Sequence, residues 1–82
     1  MKSNLITTDI VIKGHNELTL KVGNKYEIHY GIHQGVHEYV GTTMDGEHLF
    51  KNLKQDKVTF GYYSKTSPFE FTRIVKKIGL NI

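Results

Sequence analysis

Apolar and polar residues alternate through the first third of the chain in the period-two rhythm of half-buried strands. Three segments, about residues 6–13, 17–22 and 26–30, carry the pattern. They are joined by Gly14-His15-Asn16 and Gly23-Asn24-Lys25, each three residues long and rich in turn formers. A register follows from the side chains. Setting Ile12 opposite Leu18 and Ile10 opposite Leu20 gathers the apolar residues on one face. The other face then sets Lys13 against Glu17 and Asp9 against Lys21. Extended to the third segment, the same register sets Val22 against Tyr26, Leu20 against Ile28 and Lys21 against Glu27. Each pair contributes only about 0.2–1 kcal/mol, but a one-residue slip would misplace them all together.

A second hairpin is predicted from residues 36–44 and 47–51 around Asp45-Gly46, a strong signal for a two-residue type I′ turn. Residues 52–56 read as a loop. Residues 57–63 form a sixth strand candidate, with Val58, Phe60 and Tyr62 alternating against Thr59, Gly61 and Tyr63. Glycines 31, 35, 41 and 61 lie in or beside these strands, where such residues mark bulges and bends.

The period changes near the carboxyl end. Ser67-Pro68-Phe69-Glu70 has the form of a capping box with proline at the first helical position. Phe71, Ile74, Val75 and Ile78 follow at helical spacing, and Lys76 and Lys77 suit a helix C-terminus. The pattern predicts a helix over about residues 68–78, closed by Gly79 with Leu80 packing back near Val75. At about 1.5 Å per residue it is too short to stand alone and must dock on the sheet. A final strand competes with it, because Phe, Thr, Ile and Val favour sheets.

The fold class expected is α+β, mainly β. One domain over residues 1–82 forms an antiparallel meander of five to six strands, curled into a small partial barrel with one C-terminal helix. That outline resembles the small β-barrels, SH3-like and pleckstrin-homology-like folds among them. The resemblance is architectural and implies no site residue.

Composition narrows function. Eighty-two residues leave no room for separate catalytic and binding domains. The chain has no cysteine, so neither disulfides nor thiolate clusters staple it, which fits a reducing cytoplasm. The first nine residues lack a signal-peptide apolar run, and no stretch approaches a membrane span. A cytoplasmic protein without membrane attachment is expected. The net charge is +3 but unevenly spread: residues 1–50 hold four lysines against six acids, and residues 51–82 hold seven cations against two. Such asymmetry can mark an anion-binding face.

Residues 28–39 repeat histidine every fourth position, at His29, His33 and His37. On a helix these would share a face, but the glycines, β-branched residues and tyrosines around them make a helix poor. On a strand, positions four apart lie roughly 13 Å from one another, too far for one ion with bonds of about 2 Å. Only a chain folded back near His33 would bring His29 and His37 together, with Glu38 and His48 as further ligands. Solvated histidines are the commoner outcome, so neither metal nor cofactor is assigned. Nucleophile elbows, Walker loops and Cys/His pairs are absent from the sequence. His37-Glu38 and Glu47-His48 point their members to opposite faces of a strand. A non-enzymatic module is therefore expected, acting through a sheet edge, a groove or an oligomer interface on a protein partner or a second copy. Small domains of this kind in bacteria, phages and mobile elements commonly serve as adaptors or inhibitors. The alternative is nucleic acid or a phosphorylated nucleotide, with Tyr63 stacking on a base and Lys51, Lys54, Lys57 and Lys65 meeting phosphates.

Overall fold

A computed structural model describes residues 5–65 and 67–78. The protein is mainly β, with antiparallel sheets of two and five strands and one C-terminal helix. Strands β1 (Ile10–Lys13) and β2 (Glu17–Leu20) form the small sheet. Strands β3 (Lys25–Ile28), β4 (Gly35–Thr42), β5 (Glu47–Asn52) and β6 (Lys57–Tyr63) are followed by helix α1 (Pro68–Ile74) and strand β7 (Val75–Lys77). The large sheet has the order β6-β5-β4-β3-β7, and the two sheets are not closed into a barrel.

The first hairpin has the expected register, with Ile10 opposite Leu20, Ile12 opposite Leu18 and Lys13 opposite Glu17. Lys21 Nζ lies 3.2 Å from Asp9, as the charge pattern requires. The meander breaks after β2. The expected pairs of Val22 with Tyr26, Leu20 with Ile28 and Lys21 with Glu27 do not form, because both edges of β3 are taken by other strands. Tyr26 faces His37 on β4 and Lys77 on β7, and Ile28 faces Gly35 and Val75. Side chain replaces ladder here: the Tyr26 hydroxyl donates to the Thr19 carbonyl at 2.8 Å and accepts from the Lys21 amide at 2.9 Å.

The long first strand also divides. Ile6 leaves β1 and exchanges two backbone bonds with Thr42, at 2.7 and 2.9 Å. The β4–β5 turn is not type I′, since only Gly46 has positive φ, at 103°. Thr43 and Glu47 close a loop of residues 44–46, with Gly46 donating to the Thr43 carbonyl at 3.0 Å. That is a type I turn followed by a left-handed glycine. The Thr43 hydroxyl selects it by accepting from the Glu47 amide and donating to the Asp45 carboxylate.

Both C-terminal readings hold in part. Ser67 caps α1 by accepting from the Glu70 amide at 3.3 Å. The helix stops at Ile74 rather than 78, because Val75, Lys76 and Lys77 turn extended and pair with the open edge of β3. The expected closure by Gly79 and Leu80 lies outside the described residues. One core joins all the elements. Ile12, Leu18 and Leu20 from the small sheet meet Tyr26, Tyr39, Phe50 and Phe60 from the large one, under Phe71 and Ile74 of α1.

Candidate functional site

The five residues proposed from sequence do not converge. Lys51, Lys54 and Lys57 surround the β5–β6 turn, where Asn52 Oδ1 accepts from the amides of Lys54 and Gln55. Tyr63 lies opposite Glu47 at the far end of the same hairpin, and Lys65 two residues beyond it. Four to six residues of strand, roughly 13–20 Å, separate the two groups. Lys51 is already neutralised, 3.3 Å from Asp56 and 4.0 Å from Glu38. The Tyr63 hydroxyl donates to Asp45 Oδ2 at 3.0 Å, and this bond pushes the phenol's pKa up. The Thr43 and Tyr63 bonds in turn hold the Asp45 carboxyl below its usual range. An acid therefore stands beside the tyrosine assigned to stack on a nucleotide. Among the described residues, Lys54, Lys57 and Lys65 make no ion pair.

The histidine repeat scatters. His29 is exposed and 3.4 Å from Glu27, His33 packs on Phe60, and His37 is fully buried. His37 Nδ1 donates to the Gly35 carbonyl at 3.1 Å, and its Nε2 is buried without a hydrogen-bond partner among the described residues. No group of three or more metal-ligating side chains occurs among the described residues.

Sequence reading missed a buried polar chain centred on His48, which is only 4% exposed. Tyr39 Oη lies 2.6 Å from Thr42 Oγ1, Thr42 Oγ1 lies 2.8 Å from His48 Nδ1, and His48 Nε2 lies 2.8 Å from Ser64 Oγ. A proton inventory sets its direction. Tyr39 is fully buried and, among the described residues, its hydroxyl meets no acceptor but Thr42. Tyr39 therefore donates to Thr42; with Thr42 donating onward to Nδ1, Nε2–H donates to Ser64. The reverse order would strand the Tyr39 proton in the core. With Thr42 donating to Nδ1, His48 donates to Ser64, and the chain of bonds staples β4, β5 and the loop before α1 together. Burial holds the imidazole pKa below its usual value. Only the alternation that makes His48 the inward neighbour of Leu49 and Glu47 hinted at this in sequence.

The exposed end of the sheet has a different character. Residues Gly31–His33 form a 3₁₀ turn, closed by the His33 amide donating to the Tyr30 carbonyl at 2.9 Å. Gly31 takes positive φ, 52°, to enter it. The Tyr30 ring packs on Phe60 and Tyr62 with centroids 5.7 and 5.6 Å away, and His33 lies 5.1 Å from Phe60. Between these two anchors Ile32 stands 95% exposed. The chain that follows the turn enters an open cleft of about 200 Å³, lined by Gln34, Gly35, Val36, Asn52, Leu53 and Lys54. That is below the roughly 300–1,000 Å³ of small-molecule pockets. Val36 and Leu53 add exposed apolar surface to its walls. The sequence pattern did not single out Ile32, because its exposure depends on where Tyr30 and His33 anchor. No family model, curated protein or solved structure matches the chain.

Proposed function

We propose that the protein is a non-enzymatic, cytoplasmic interaction module that holds a protein partner on the end of its sheet, as an adaptor or inhibitor of a larger assembly. One observation carries the reading: Ile32 is presented to solvent on a turn braced by two aromatic anchors, and the chain leads from that turn into a cleft walled by Val36 and Leu53. Burying such a side chain in a partner is worth about 1.5–3 kcal/mol, and the braced turn spares ordering entropy on binding. The nucleotide reading is second, and it draws on Lys54, Lys57 and Lys65, which have no ion-pair partner among the described residues.

A photo-crosslinking amino acid placed at Leu53 in the expressed full chain tests the first reading. A discrete adduct is expected from that position, lost on Ile32→Glu, and absent when the crosslinker sits at Val11, which is exposed on the small sheet. Equal labelling from Leu53 and Val11 would remove the proposal. Titration with nucleotides and short oligonucleotides at two salt concentrations tests the second. Nucleic-acid binding must weaken steeply with salt through counterion release, and no binding at low salt removes it.

A further inference from the structure

We infer that the free edge of β6 accepts an extended segment of the partner as an added strand, and that this segment carries acidic residues at both ends of a β-prone centre. The inference deepens the protein-binding reading and rests on it. Strand order leaves β6 at the edge of the large sheet, seven residues long. No described residue outside β5 pairs with it. Alternate residues of an edge strand turn their N–H and C=O groups outward, which is the template that strand addition uses.

The strand is not uniform. Phe60 faces Phe50 but Val58 faces Lys51, so Thr59 is an extra residue that bulges the ladder. A bulge and a lysine are common edge protectors, and Lys57 and Thr59 guard the first half in this way. From Phe60 to Tyr63 the ladder is regular. Charge then selects the occupant. Lys57 precedes this stretch and Lys65 follows it, both exposed and neither in an ion pair among the described residues. The middle is different: the Glu47 carboxylate lies over Gly61, in the space a side chain there would need. An acid would be repelled at the middle by Glu47 and attracted at the ends by Lys57 and Lys65, since Asp56 is paired with Lys51 and Asp45 is hydrogen-bonded by Tyr63 and Thr43.

The same charges disfavour a second copy. Antiparallel self-pairing centred on Gly61 keeps Phe60 and Tyr62 on one face, but it brings Lys57 of each copy toward Lys65 of the other. Like charges opposed across strands destabilise, and here the clash occurs at both ends. A partner with acidic ends turns both clashes into attractions.

The test uses two labelled synthetic peptides with one alternating Val-Thr centre, flanked by glutamates in one and lysines in the other. Fluorescence anisotropy with the full chain should show the glutamate peptide binding about ten-fold tighter or more. A Lys57→Glu, Lys65→Glu double variant should reverse that order. Methylating alternate amide nitrogens along one edge of the glutamate peptide should abolish binding, while methylating the other edge should not. Equal affinities, no binding of either peptide, or indifference to methylation at both edges would overturn the inference. The peptide comparison on the unmodified chain decides the matter even if the double variant fails to fold. Loss of peptide binding with the Leu53 adduct intact sinks the edge inference alone, whereas loss of the adduct sinks the module reading.

Discussion

His48 shows how much a single polar side chain can organise. Its two nitrogens tie Thr42 on β4 to Ser64 in the loop ahead of α1, and its ring meets Phe71 at 5.1 Å. The imidazole is neutral in the fold, because burial depresses its pKa below the unfolded value of about 6.5. The unfolded chain therefore binds the extra proton first as pH falls. The contribution of His48 is fully present above about pH 6.5 and is lost progressively as pH drops toward its folded pKa. Urea denaturation between neutral and mildly acidic pH should show this loss, and His48→Gln should remove it. An unchanged pH dependence in His48→Gln would discard the neutral-staple account. At neutral pH, His48→Ala leaves Thr42 and Ser64 short of a partner and should cost at least about 1–3 kcal/mol.

At the scale of elements, the helix depends on two local devices of unequal strength. The Ser67 cap satisfies one amide at 3.3 Å, and Ser67→Ala should cost about 0.5–2 kcal/mol. Docking depends on Gly14 in the β1–β2 turn. A Cβ there would overlap the Pro68 carbonyl, which is rigid backbone, as well as the Thr72 hydroxyl. The His15 amide, next along the turn, donates to that hydroxyl at 3.0 Å. Gly14→Ala must push helix and hairpin apart and should cost about 1–3 kcal/mol. Thermal unfolding should find Gly14→Ala the more damaging, and equal melting temperatures for it and wild type would show the turn does not bear on α1.

For the whole molecule, the consequence lies in what α1 and β7 cover. Phe71, Ile74 and Val75 are buried in the common core, and β7 completes an edge of the large sheet. Ending the chain before Ser67 exposes that core and opens β3. Gel filtration and near-ultraviolet circular dichroism of residues 1–66 should therefore report aggregation or loss of fixed packing. A folded monomer would mean the sheets hold without the helix.

Local pattern alone determined the first hairpin, the hairpin positions of β4 to β6 and the helix start. These rest on contacts between near neighbours: a charge-matched register, a glycine turn, a serine cap. What lay beyond it were competitions between distant segments. Tyr26 and Ile28 had a plausible neighbour in β2, but β4 and β7 offered complete backbone pairing on both edges, and a ladder outweighs a few side-chain matches. Val75 to Lys77 fit a helix until the open edge of β3 satisfied their backbone groups instead. The site followed the same rule. The types of the candidate residues were readable, but hairpin length separated Tyr63 from Lys51, and Asp45 and Asp56 claimed them as partners. Ile32 stands exposed between Tyr30 and His33, which both anchor on Phe60. Side-chain pattern speaks for one segment at a time, and which segments meet is settled by backbone pairing and the filling of a shared core.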